Sequence, residues 1–512
     1  MLEDPCGVQD RQLREILTRN QDCEYGKHHG FATIADYAEF TARVPVVDYD
    51  QLRPQIERMA DGADGVLLTD PVLAFEQTGG SSGGSKLVAY TEASLAAFRR
   101  GLLPWLDDLY LTYPTVAAGT AYWSVSPACR ERRDTRGGIP IGLPSDVAYF
   151  GSEIAPQLVA SLSVPPIIGL VRDVDLWRHL TVFYLLADVR LSLISVWSPT
   201  FLIDLLQYAR QNADVLAMCI EDGTPALDVP AAIRPHLAAV APSAQRACHV
   251  AGVLAGNNDW FAGLWPDLTV ISCWDQAASR SYADEVRRLF PGVHLQGKGL
   301  LATEGITSIP LGGFPMPVLA LESGFYEFLG ADGVLRRAHE VTSGADYELV
   351  LTNHCGLYRY AIGDRVRIHG FAGQTPMLEF TGRSGVSSDL CGEKFDEVFV
   401  LRVIRRLGLR FAVLAPQTQS PRGYVLLLDG SEVSASQVQG LAASADASLA
   451  ANPQYAYACR LQQLMPLRAV RCIDPVGSWT KRGLARGQRL GDIKLPILIA
   501  AEDWQRTFLP VA

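Results

Sequence analysis

Four strand-length apolar runs punctuate the middle of the chain: AYWSVS from 121, SLISVW from 192, LTVISCW from 268 and VHLQG from 293. The stretches between them are long enough for helices, and SYADEVRRLF from 281 carries an amphipathic helical repeat. Short apolar runs that alternate with helices predict sheets covered by helices, so the chain reads as an α/β fold. Upstream, LVAYT from 87 reads as a strand that turns helical at a Thr91 cap, with Ser94, Leu95, Phe98 and Leu102 following. From Phe325 the texture becomes β-rich: FYEFL, YELVLT, LYRYAIGDRVRI and MLEFTG, separated by glycine-bearing turns, suggest a small sheet or a barrel-like part. Strand character lapses over RSGVSSDLCGEK, then returns with a helix from Asp396 to Leu407 and the strands FAVLAP and GYVLLLDG. The expected division is a large N-terminal domain of several subdomains, residues 1–381, and a small α+β unit, residues 382–512.

Composition supports more than one core. At 512 residues with 48% hydrophobic and 20% charged positions, the chain is globular and too long for a single core, which stops growing near about 250–300 residues. The formal charge of -10 argues against a protein built to grip nucleic acid or an anionic membrane surface. Ten scattered cysteines, with no Cys-x-x-Cys pair, read as reduced thiols and point to the cytoplasm. The opening MLEDPCGVQDRQ lacks the layout of a secretion signal, and no apolar run of about 18 residues offers a membrane span.

One cluster carries chemistry. TGGSSGGSK, Thr78 to Lys86, lies between VLAFEQ and LVAYT. A Gly/Ser loop can turn successive N–H groups inward and, with hydroxyls and a lysine, form a nest for phosphate oxygens. It is not a Walker loop, because Ser85 stands where that pattern needs glycine. A plain surface loop is the alternative, although a flexible linker is an odd connection between two core strands.

The cluster resembles the Thr-Ser-Gly-Thr-Thr-Gly-x-Pro-Lys phosphate loop of the acyl-adenylating superfamily of acyl-CoA synthetases, peptide-synthetase adenylation domains and luciferases. Further likenesses follow in the same order: LLATEG at 300–305 to Tyr-Gly-x-Thr-Glu, YAIGD at 360–364 to Tyr-Arg-x-Gly-Asp, and FTGRSG at 380–385 to the Gly-Arg element before the inter-domain hinge. Within the superfamily the chain is most similar to the auxin-responsive (Gretchen Hagen) acyl-acid amido synthetases, especially bacterial members. That likeness rests on AYWSVSP, LISVWSPTF, LWPDLTVISCW, FPGVHLQGKGLLATEGITSIPL, YELVLTNHCGLYRYAIGD and GQRLGDIKLP, and it spans nearly the whole chain.

The resemblance implies an enzyme that uses ATP and Mg2+ to convert a carboxylic acid into an acyl-adenylate, releases pyrophosphate, and then joins the acyl group to an amine, typically that of an amino acid. Its catalytic candidates are Lys494, Glu304 and Lys86. Thr78, Gly80, Ser81, Ser82, Gly83 and Lys86 would hold the phosphates, Glu304 the magnesium ion, and Thr303 the α-phosphate. Asp364 would take the ribose hydroxyls, Arg383 would support the ribose, and Leu300 would lie against adenine. Lys494 matches the lysine that a mobile C-terminal lid brings to the site, with Lys481 in the same tail as the alternative. Trp123, Trp197 and Phe201 are candidates for an acyl pocket or for core packing. His354 and Cys355 are not taken as a nucleophile pair, because an adenylate is already activated. Leu300 stands where the superfamily often has tyrosine, and Ala361 where plant relatives carry arginine. An acyl-CoA ligase sharing the first half-reaction, and a non-catalytic nucleotide- or acyl-binding relative, are the rival readings. The sequence leaves the acid, the amine and the oligomeric state open.

Overall fold

The computed structural model describes residues 2–78, 86–123, 133–143, 146–225, 229–256, 261–385, 387–419, 421–488, 490–499 and 504–511. Strands β1 (Ala74–Thr78) and β2 (Lys86–Tyr90) pair antiparallel, Thr78 opposite Lys86, so the Gly/Ser cluster joins two paired strands in sequence. Helix α1 (Glu92–Thr112) starts where expected: the Thr91 hydroxyl accepts the Ser94 N–H while the Ser94 hydroxyl accepts that of Thr91. This reciprocal cap satisfies two orphan donors at the helix start.

Four strands then form a wholly parallel sheet in chain order: β3 (Thr120–Trp123), β4 (Leu191–Ser195), β5 (Val270–Cys273) and β6 (His294–Gly297). All four were legible as apolar runs. Burial on both faces explains those runs, since a parallel sheet needs helices above and below. One face, with Ala121, Leu193 and Val270, packs under Leu102, Trp105 and Leu109 of α1. The other, with Tyr122, Ile194 and Ile271, packs on helices α2 (Val174–Ala187) and α3 (Pro199–Gln211), and on α4 (Arg280–Leu289) through Val286. Each large side chain buried there contributes about 1.5–3 kcal/mol.

The β-rich segment is a seven-stranded antiparallel sheet. Four of its strands are β7 (Phe325–Gly330), β8 (Asp346–Thr352), β9 (Tyr360–Ala372) and β10 (Thr375–Arg383), in the spatial order β10-β9-β8-β7. Among the described residues its two end strands do not pair, so it is a sheet and not a closed barrel. Along β9, Tyr360, Ile362, Asp364, Val366 and Ile368 are buried in strict alternation. Asp364 thus lies on the apolar stripe of its strand.

The C-terminal part has its own sheet and core. Helix α5 (Glu397–Arg405) starts at an Asp396 cap, and strands β11 (Ala412–Gln417), β12 (Gly423–Asp429) and β13 (Met465–Ile473) follow. Their inward residues Val400, Leu414, Leu426 and Leu467 cluster together, separate from the earlier cores. Helix α6 (Pro475–Ala485) precedes the segment that carries Lys494. This unit docks on α4 through an Arg410–Glu285 ion pair at 2.9 Å and a hydrogen bond from Ser281 Oγ to the Arg410 carbonyl.

Candidate active site

The register of β9 and β10 sets Asp364 opposite Arg383, and Arg383 Nε donates to Asp364 Oδ1 at 2.7 Å. The Asp364 carboxylate raises the guanidinium pKa above its ordinary value. Arg383 also donates its backbone N–H to Glu397, the first residue of α5, at 3.3 Å. Burial pushes the Glu397 carboxyl pKa up, while Arg383 and Lys494 pull it down. The sequence reading did not include Glu397, which stands behind a cap residue and looks like an ordinary acidic first turn.

Glu304 sits in the tight turn between Leu301–Ala302 and Gly305–Ile306 and is only 5% exposed. Its neighbourhood is pinned: Tyr90 OH donates to the Thr303 carbonyl at 2.7 Å, and Asn353 Nδ2 donates to the Glu304 carbonyl. Burial raises the Glu304 pKa; Arg383 and Lys86 oppose that rise and Asp364 adds to it. Arg383, Lys86 and Asp364 therefore all act on Glu304 through space. Among the described residues no cation lies within ion-pair distance of Glu304. An acid buried without a paired cation is costly unless a ligand supplies the charge.

Lys86 begins β2, donates to Tyr360 OH at 3.2 Å, and lies over the rings of Tyr49 and Tyr360. Thr78 is its backbone partner across the hairpin. Gly80, Ser81, Ser82 and Gly83 fall outside the described residues. Leu300 is partly buried against the core that holds Tyr360 and Ile362.

Lys494 comes from the C-terminal unit and faces the same cluster. Its Nζ is 4.7 Å from the centre of the Trp274 ring, and its carbonyl accepts the indole N–H of Trp479 on α6 at 2.9 Å. The side chain keeps contact with solvent but stands in a crowded cleft. Burial and then Arg383 lower its pKa, Asp364 and Glu304 raise it, and the solvent that reaches it tempers the net effect. Lys481 is exposed on α6, whereas Lys494 is the lysine of the tail on which Glu304 and Asp364 act.

The carboxyl ends of the parallel strands carry a row of indoles. Trp105 and Trp123 are 5.8 Å apart, as are Trp197 and Trp274. Between the two pairs lies Lys298, one residue past β6 and buried, with Nζ 5.2, 6.0 and 5.1 Å from the centres of Trp105, Trp123 and Trp197. Phe201 is packed with Trp177 in the core beneath the sheet, the packing alternative of the sequence reading. Lys298, Trp105 and Trp274 were not singled out from sequence; a lone lysine between two glycines directly after a buried strand was the available signal.

His354 and Cys355 are buried, the histidine pushed down to about 4 and the thiol up to about 12 by desolvation. A neutral thiol of that kind is a poor nucleophile.

Comparison with known proteins gives this arrangement its context. The model of the GH3 family N-terminal domain matches residues 1–295, and that of the GH3 family central domain matches residues 317–383. The indole-3-acetic acid-amido synthetase GH3.2 of Arabidopsis thaliana is 26% identical over 446 residues, 80% of each chain. A probable indole-3-acetic acid-amido synthetase, GH3.12 of Oryza sativa subsp. japonica, is 27% identical over 463 residues, 77% of this chain and 72% of the relative. The solved structure of the AtGH3.15 acyl acid amido synthetase in complex with 2,4-DB superposes with a TM-score of 0.86 at 20% identity, over 99% of this chain and 94% of that one. A 2-hydroxyisobutyryl-CoA ligase in its postadenylation state shares the fold more distantly, with a TM-score of 0.53 at 12% identity over 98% and 92% of the two chains. With more than half of its length matched by the family's N-terminal model, the chain belongs to the GH3 family.

Proposed function

We infer that the protein is an acyl-acid amido synthetase that uses ATP to activate a carboxylic acid as an acyl-adenylate and then transfers the acyl group to an amine. The observation that carries this reading is the meeting of Lys494, from the C-terminal unit, with Glu304, Asp364 and Arg383 of the preceding sheets. In the first step a carboxylate oxygen attacks the α-phosphorus of ATP and pyrophosphate leaves. Asp364, its Oδ1 held by Arg383, presents its second oxygen to the ribose hydroxyls. Lys86 and the segment with Gly80, Ser81, Ser82 and Gly83 receive the leaving phosphates, beside Thr78 and Thr303. The Lys494 ammonium offsets negative charge between the incoming carboxylate and the α-phosphate.

Glu304 fits a magnesium ion: one buried carboxylate with no paired cation among the described residues suits an ion that keeps its other places for phosphate oxygens and water. Bound there, Mg2+ would neutralise phosphate charge.

In the second step the amine nitrogen attacks the acyl carbon, the C–O bond to AMP breaks, and the amine gives up a proton. A boundary after residue 381 and rotation of residues 382–512 as a lid would clear Lys494 from the site and admit the amine. An amino acid is the proposed acceptor. The nine described cysteines are all free thiols, which suits a reducing compartment such as the cytoplasm. Among the described residues no helix is long and apolar enough to cross a membrane. The test is carboxylate-dependent exchange of pyrophosphate into ATP, followed by mass spectrometry of products formed with amino acids, other amines or CoA. A thioester without any amide would instead support an acyl-CoA ligase.

A further inference from the structure

Registered neighbours on adjacent parallel strands point to the same face of a sheet. Here Trp123, Ser195, Ser272 and Gln296 are registered in one row across β3, β4, β5 and β6, at their carboxyl ends. Trp105 comes down on this row from α1, and its indole N–H donates to Gln296 Oε1 at 2.7 Å. Lys298 follows two residues after Gln296 and donates to Ser195 Oγ at 2.6 Å.

The row holds more donors than acceptors. Lys298 has three N–H groups and, among the described residues, uses one. The Trp123 indole N–H and the Ser272 hydroxyl are buried without a hydrogen-bond partner among the described residues. A buried unmatched polar group costs about 1–3 kcal/mol, and three side chains at one spot multiply that cost. Indole faces soften the environment of the ammonium but accept none of its hydrogen bonds in the ordinary sense. Desolvation has lowered the Lys298 pKa to about 7, and Cys273 is the one described group that acts on its charge. On the adenylation reading the reacting carboxylate has its cation in Lys494, which leaves Lys298 free of that role.

The position also suits a ligand. Open parallel sheets bind ligands outside the carboxyl ends of their strands. The indole row leads from Lys298 past Trp197 to Trp274, whose ring is in contact with Lys494. An aromatic or other flat acid lying along this row would have its reacting carboxylate near Lys494 and its far end at Lys298.

We propose that Lys298 is a specificity-determining residue of the acyl pocket, and that the acid this protein activates bears a second accepting oxygen, carboxylate or phenolic, at the end remote from its reacting carboxyl. The cage of Trp105, Trp123 and Trp197 holds the body of that group, while Lys298, Trp123 and Ser272 donate to its oxygen. This inference rests on the adenylation reading above.

The test compares matched acids by ATP–pyrophosphate exchange: phenylacetate, 4-hydroxyphenylacetate and 4-carboxyphenylacetate, with wild type, Lys298→Met and Ser195→Ala. In wild type, kcat/KM favours at least one acceptor-bearing acid over phenylacetate by about tenfold or more. Lys298→Met collapses that ratio toward unity, and Ser195→Ala, which keeps the cation, shifts it less. Thermal melts confirm that each variant is folded. A ratio that Lys298→Met leaves unchanged, or a wild-type preference for phenylacetate over both analogues, overturns the assignment. No exchange with any carboxylate overturns the adenylation reading itself, a result distinct from exchange whose acid preference ignores Lys298.

Discussion

Lys494 lies with its ammonium 4.7 Å from the centre of the Trp274 ring, so a residue of the C-terminal unit rests on the indole wall of the parallel sheet. Glu304 and Asp364 both act on its charge, and under the proposed reading this arrangement serves the adenylation step. Lys494→Ala should lower ATP–pyrophosphate exchange by about 10²–10³-fold, as for loss of one transition-state donor. Amide formation from supplied acyl-adenylate should fall far less. Equal loss in both assays would contradict a role confined to the first step.

Asp364 and Arg383 form a pair whose acid is buried and whose base is about one-third exposed. Asp364→Ala leaves a guanidinium without its carboxylate, and partial exposure limits the damage to about 1–2 kcal/mol. Denaturant melts should show that loss, and the KM for ATP should rise more than tenfold, roughly one charged hydrogen bond. An unchanged KM for ATP would remove Asp364 from the ribose site.

Glu304 has its pKa raised in the folded state, chiefly by burial. The folded protein then holds the proton more tightly than the unfolded chain. The associated stability is present below the ordinary carboxyl range and is lost as pH rises through the folded value. Glu304→Gln should accordingly melt higher than wild type at pH 8 without Mg2+ or ATP, and close to wild type at pH 4. The same variant should lose magnesium-dependent exchange. A lower melting temperature at pH 8 would show that the carboxylate is already satisfied within the protein.

Lys298 titrates in the opposite sense. Its pKa falls from 10.5 to about 7 on folding, so between these values the unfolded chain binds more protons and stability rises with pH. The slope is at most about 1.4 kcal/mol per pH unit. Cys273, the neighbour acting on it, is pushed up to about 12 and stays protonated across the window. Lys298→Met should stabilise the protein more at pH 7 than at pH 10, read by paired thermal melts. A gain independent of pH would mean that the lysine keeps its charge when buried.

Local pattern made much of this architecture legible. The four parallel strands were visible because burial on both faces writes them as apolar runs, and the start of α1 because Thr91 and Ser94 stand at capping distance. Asp364, Arg383 and Glu304 were reached through short motifs, while their mutual geometry depends on the β9–β10 register, which no local pattern encodes. Lys298 was missed because its significance lies in three tryptophans brought together from residues 105, 123 and 197. Of the small sheet or barrel-like part read from the β-rich segment, the structure has the sheet, and strand-length patterns carry no information on whether end strands meet.

The most direct test of the account is a product analysis of the purified protein with ATP, Mg2+, a panel of carboxylic acids and the common amino acids. The account predicts an amide formed one for one with AMP and pyrophosphate, with the acyl-adenylate accumulating when the amine is withheld. Release of ADP and phosphate, or an amide formed without carboxylate-dependent pyrophosphate exchange, would contradict it.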